Sequence, residues 1–141
     1  MKVYRLVNCK TDSIEVGTTL SRASDHSNQK LGKGMYFAAT YDDACLFAKI
    51  RHKYSYTHLL TCRLKGMTLA DFVDLRKNPN LIIQSDFGKL PREERVPAYC
   101  KKYDKKGVIW MPQRGGWTEV LLLTEHIQDA VVIECVETLP T

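Results

Sequence analysis

Along most of the chain the hydrophobic positions fall into short alternating or continuous runs, and only once into a helical stripe. Lys2 to Val7 alternates and is rich in β-formers, which predicts a first strand. Asn8 to Lys30 is polar, with Asp12, Ser13, Ser24, Asp25, Ser27 and Asn28, and reads as loop around one short element at Thr18 to Ser21. Leu31-Gly32-Lys33-Gly34 is a turn, and Met35-Tyr36-Phe37-Ala38 after it is an apolar run that predicts a second, buried strand. Thr40 stands where it can cap a helix over Tyr41 to Lys53. There Ala44, Cys45, Phe47, Ala48 and, less regularly, Ile50 share one side, and Asp42 and Asp43 occupy the first turn.

Thr57 to Leu64 has the composition of a core strand, ended by Gly66. From Met67 to Lys106 the pattern is mixed: Asp71 to Leu75 and Asn80 to Phe87 fit either type, and Pro91 to Tyr103 predicts a helix interrupted at Pro97. The stretch reads as a variable insertion. Three β-rich runs follow, Gly107 to Trp110, Thr118 to Leu123 and Ala130 to Val136, separated by Pro112 to Gly116 and Thr124 to Asp129, links suited to hairpins. The expectation is a strand-dominated α+β domain with one firm helix packed on a sheet.

At 141 residues the chain is the size of a single domain, and no repeat or linker divides it. Its 44% hydrophobic and 26% charged content excludes disorder, collagen and low-complexity scaffolds. No apolar run is long enough to cross a bilayer, and Arg5 interrupts any signal-peptide core, so a soluble cytoplasmic protein is expected, with no membrane partner. The net charge of +5 and pI near 9.0 suit an anionic ligand, although Lys101, Lys102, Lys105 and Lys106, the one cluster, read as a solvated face. Five cysteines without a CxxC pair, Cys9, Cys45, Cys62, Cys100 and Cys135, read as reduced core thiols. His26, His52, His58 and His126 make no ligand spacing with them, so no metal is expected.

Two segments carry candidate chemistry: Gly32-Lys33-Gly34-Met35-Tyr36-Phe37-Ala38 with its following helix, and Gly115-Gly116-Trp117-Thr118-Glu119 running into Val120-Leu121-Leu122-Leu123. A carboxylate at the edge of an apolar strand is hydrated at the strand end, paired, or held for a task. In order along the chain, Val3-Tyr4-Arg5-Leu6, Gly32 to Ala38, the helix to Phe47, and Tyr103-Asp104-Lys105-Lys106-Gly107-Val108-Ile109 followed by Gly116 to Leu123 resemble the ADP-ribosyltransferase catalytic domain. The likeness is to the poly(ADP-ribose) polymerase and diphtheria-toxin-like branch, with some RES-type character in the early VYR strand. It spans nearly the whole chain except Met67 to Tyr99.

The resemblance implies a split antiparallel sheet with few helices, and NAD as co-substrate. Glu119 would be the catalytic glutamate on the nicotinamide ribose. Tyr36 and Phe47 would sandwich the nicotinamide, with Phe37 beside them, although Phe47 serves equally well as core. Arg5 would hold the adenosine ribose or diphosphate, and the backbone of Leu6 would grip the carboxamide. Trp117, two before Glu119, departs from the Gln or Glu of arginine-modifying toxins and argues against an arginine acceptor; it would stack on an acceptor or anchor the core. Arg114 to Gly116 would form the loop into the catalytic strand. The implied activity is transfer of ADP-ribose to a protein or nucleic acid acceptor, in an intracellular enzyme or in a toxin or effector delivered into a host cytoplasm. The alternatives are an NAD glycohydrolase and a non-enzymatic nucleotide- or ADP-ribose-binding module.

Overall fold

The computed structural model describes residues 1–8, 14–20, 31–50, 56–113 and 116–140. Eight strands form one mixed, mostly antiparallel sheet: β1 (Lys2–Val7), β2 (Thr19–Leu20), β3 (Gly34–Ala38), β4 (His58–Leu64), β5 (Phe72–Asp74), β6 (Gly107–Trp110), β7 (Glu119–Leu123) and β8 (Val131–Thr138). Two α-helices, α1 (Tyr41–Ile50) and α2 (Arg92–Lys102), accompany them among the described residues. The order across the sheet is β2-β8-β4-β1-β3-β7-β6-β5, with β5 and β6 the parallel pair. The end of the predicted first helix at Arg51 to Lys53, together with Ser21, Cys9, His26, His52 and Arg114-Gly115, lies outside the described residues.

The sheet has a seam. β1 pairs with β4 over its whole length, from Lys2 opposite Arg63 to Val7 opposite His58, whereas β1 and β3 share the single pair Tyr4 with Ala38 among the described residues. Beyond it, β3 pairs with β7 and β7 with β6 in unbroken antiparallel register. Because directly opposed residues share a face, Tyr4, Ala38, Glu119 and Trp110 form one row on what we call the front of the sheet. Tyr36, Leu121 and Val108 form the next row on that side.

Each face has its own core. On the back, Val3, Met35, Phe37, Leu60, Cys62, Val120 and Leu122 pack with Met67, Phe72 and Ile127. On the front, Val108, Leu121 and Leu123 pack with Val96 and Cys100 of α2 and with Leu75 and Ile82. Residues 67–106 are therefore no peripheral insertion, since they contribute an edge strand and the helix that covers one half of the front. At the other half lies α1, whose Tyr41 meets Tyr4 edge-on at 5.9 Å.

Helix α1 begins as the sequence predicts, with the Asp43 amide donating to Thr40 Oγ1 at 3.0 Å and the Thr40 hydroxyl donating to Asp43 Oδ2 at 2.8 Å. Its buried stripe is narrower than expected: Ala44 is buried, while Cys45 and Ile50 are exposed. Helix α2 runs through Pro97 instead of stopping there. Pro97 leaves the Glu93 carbonyl without its helical donor, and Gly32 packs against that spot, with φ +116° and an added Cβ only 2.9 Å from Pro97 Cγ and 3.2 Å from Glu93 O. The link Pro112 to Gly116 joins the β6 and β7 hairpin, but Thr124 to Asp129 does not turn a hairpin. It carries the chain from β7 across to β8, which pairs with β4 and β2, so that Ile127 lands in the back core.

Candidate active site on the front of the sheet

Glu119 opens β7 and is 8% exposed, the one buried charged side chain among the described residues. The hydrated strand end is thus excluded. Its position follows from the chain on either side: the Ala39 amide donates to the Thr118 carbonyl at 2.9 Å, extending the β3 and β7 pairing one step past Glu119. Glu119 is then flanked in its row by the small side chain of Ala38 and by the Trp110 indole.

Tyr36 sits diagonally from Glu119 on the same face. Its hydroxyl donates to the Gly32 carbonyl at 2.9 Å. Burial pushes its pKa up to about 12, the local backbone opposes that shift, and the charge of Glu119 adds to it. At neutral pH the phenol is therefore a neutral donor. The two glycines of the Gly32-Lys33-Gly34 turn serve packing here. Gly32 fits against α2 as described, and a Cβ at Gly34 would stand 2.3 Å from the Leu122 carbonyl.

Arg5 follows Tyr4 in a regular strand, so its side chain leaves β1 on the side opposite to Glu119. Its guanidinium then enters the seam, where Nη1 donates to the Tyr36 carbonyl at 3.0 Å. Burial lowers the Arg5 pKa, with nearby Cys62 and Tyr56 acting in the other direction. Tyr36 is therefore held from two sides, its peptide by Arg5 and its ring over the front. Leu6 lies in register with Leu59 of β4, beyond the last pair that β1 makes with β3.

Phe37 departs from the expected set. Alternation along Met35 to Ala38 turns it to the back, where it is buried in the core with Val120 and Leu60 and out of reach of Glu119's side. Phe47 of α1 packs against Trp117 at 5.0 Å, with the rings nearly perpendicular, and against Tyr56 at 5.8 Å. Trp117 is 2% exposed, so it anchors the core under α1 and offers no face to an acceptor.

Two residues at the site escaped the sequence reading. Trp110 needed the hairpin register to be placed beside Glu119; its indole Nε1 is buried with no hydrogen-bond partner among the described residues. Tyr56, just ahead of β4, joins Phe47 to the neighbourhood of Arg5, and nothing local marked it.

An open groove of about 700 Å³ lies on the other side of the sheet, lined by Ala39, Met67, Leu69, Ile109 and Val120 with Lys2 and Arg76 at its rim. None of Arg5, Tyr36, Phe47 or Glu119 lines it. Among the described residues no group of three or more His, Cys, Asp or Glu side chains is arranged to hold a metal ion, and no helix is long and apolar enough to cross a membrane. Comparison of the chain with family models, with curated proteins and with solved structures finds no match.

Proposed function

We propose that the chain transfers ADP-ribose from NAD to a macromolecular acceptor with release of nicotinamide, on a split sheet of the ADP-ribosyltransferase type. The observation that carries the reading is the burial of Glu119 on the same face as Tyr36. A buried carboxylate is costly to keep, and a hydrophobic side chain at a strand start costs nothing of the kind. Such a carboxylate is either paired within the fold or held for a task, and its place on one face beside Tyr36 supports the task.

In the proposed reaction the bond between nicotinamide and the ribose carbon breaks, and the pyridine nitrogen leaves with the electron pair as neutral nicotinamide. The ribose carbon becomes oxocarbenium-like, and a nucleophile on the acceptor forms the new bond and loses its proton. Glu119 accepts a hydrogen bond from the ribose 2′-hydroxyl and stabilises the developing positive charge. Tyr36 stacks on the nicotinamide, and Phe47, already braced by Trp117 and Tyr56, forms the second wall. The Leu6 backbone faces the carboxamide. Arg5, expected on the adenosine ribose or diphosphate, is instead a positioning residue in this scheme, because its guanidinium is engaged with the Tyr36 carbonyl across the seam.

The test is incubation with NAD labelled in its adenylate part, with free nicotinamide and label on macromolecules read together. Glu119→Gln keeps the shape and removes the charge, so at saturating NAD it lowers nicotinamide release by about a hundredfold or more while NAD affinity changes little. Equal rates for the two proteins overturn the assignment. Nicotinamide release with all label left on small molecules identifies a glycohydrolase instead, and NAD or ADP-ribose binding without release identifies a binding module.

A further inference from the structure

The lysine cluster that reads as a solvated face in the sequence belongs to a larger construction. Residues 86–106 carry seven Lys or Arg against four Asp or Glu, which is +3 of the chain's net +5. Within this stretch three rings run outward from the front core. Tyr99 of α2 meets Phe87 edge-on at 5.8 Å and Tyr103 at 4.6 Å with the planes tilted by 43°. Phe87 and Tyr99 are partly buried against the core beneath, while Tyr103 is 49% exposed. Lys102 holds its ammonium 5.7 Å from the Phe87 centroid and 5.4 Å from that of Tyr103.

We propose that this face, Phe87, Tyr99 and Tyr103 with Lys102 and the neighbouring lysines, binds single-stranded nucleic acid. An acidic peptide would need the charges alone, and a duplex would keep its bases out of reach of the rings. A platform of rings fixed at one end in the core and open at the other, set in an excess of cations, matches unstacked bases on a phosphate backbone. Lys102 is mounted to exchange its ring contacts for a phosphate, since an ammonium on a flexible stem reorients at little cost. The proposal is independent of the NAD reading, because it concerns binding and involves neither Glu119 nor Tyr36.

Fluorescence anisotropy of the full chain with a labelled oligouridylate of about a dozen nucleotides, the scale of one binding module, tests it. Saturable binding is expected, weaker with rising salt, and Tyr103→Ala weakens it about tenfold while Tyr103→Phe stays within about twofold. Lys102→Ala reduces the slope of log affinity against log salt by about 0.7, one phosphate contact on a single strand. Urea midpoints of the variants confirm that each is folded, and Glu119→Gln binds the oligonucleotide as the parent does. Unchanged affinity in folded Tyr103→Ala overturns the proposal. So does equal binding of a polyglutamate peptide or of the corresponding duplex, which would assign the face to charge alone.

Discussion

Two kinds of cysteine stand among the described residues, and their surroundings set them apart. Cys62 and Cys100 are buried in the two cores, and burial pushes both thiols up to about 12. Cys100 also donates to the Gly107 carbonyl at 3.6 Å. Cys45 and Cys135 are exposed. Brief alkylation of the native protein at neutral pH should therefore modify Cys45 and Cys135 and leave Cys62 and Cys100 for the unfolded chain, which site-resolved mass spectrometry reads directly. Rapid native labelling of Cys62 would mean that the seam beside Arg5 opens readily. The expectation that all the cysteines are core thiols fails at Cys45 and Cys135, where the apolar residues around each cysteine mark the buried neighbours and not the thiol itself.

At the scale of the element, alternation and turn chemistry were enough to find most of the strands and the start of α1, because those signals are local. Partner choice is not local. Nothing in Thr124 to Asp129 distinguishes a hairpin from a crossing to β4, and the small segments around β5 gained their strand character from the sheet they joined. Pro97 predicts a break because the sequence alone does not show Gly32 packed on the freed carbonyl. Of the candidate site, Glu119 and Tyr36 stood out as residues. Phe37 was misplaced although strict alternation through Met35 to Ala38 already sets it against Tyr36, and Trp110 became visible only once β6 and β7 were in register.

The same close packing yields a prediction. Gly34→Ala forces a Cβ into the backbone of β7, 2.3 Å from the Leu122 carbonyl and 2.6 Å from Leu121 Cδ1, and should cost about 3 kcal/mol or more in urea unfolding. Gly66→Ala is the control. With φ +68° and nothing within 4 Å of the added carbon, it should cost only the left-handed backbone penalty, about 1–2 kcal/mol. Equal losses in the two variants would show that space around β3 is not the constraint.

For the molecule as a whole, the buried acids set the alkaline limit. Cys62 and Cys100 have ordinary values of 9.0 and Tyr36 one of 10.0, and all three are pushed up to about 12 in the folded protein. The unfolded chain loses these protons first, so their contribution to stability is fully present below pH 9 and is lost as pH rises toward 12. The urea midpoint should hold level from about pH 7 to about pH 8.5 and then fall steadily, with Tyr36→Phe removing part of the decline above about pH 10. A level profile through about pH 11 would show that the two cores admit the charged forms.

The position of β8 has its own consequence for how the molecule is made. This strand, residues 131–138, lies between β2 and β4, although both of those are synthesised earlier. While a ribosome is still adding residues before Val131, β2 lacks the strand it pairs with and β4 presents a bare edge of backbone amides and carbonyls. The other side of the seam is complete sooner, since β3, β5, β6 and β7 have all been made by Leu123. Vectorial synthesis thus leaves the β4 edge open to a neighbouring nascent chain from the time Leu64 is made until β8 follows, and a holdase that covers that edge would be most useful during that interval.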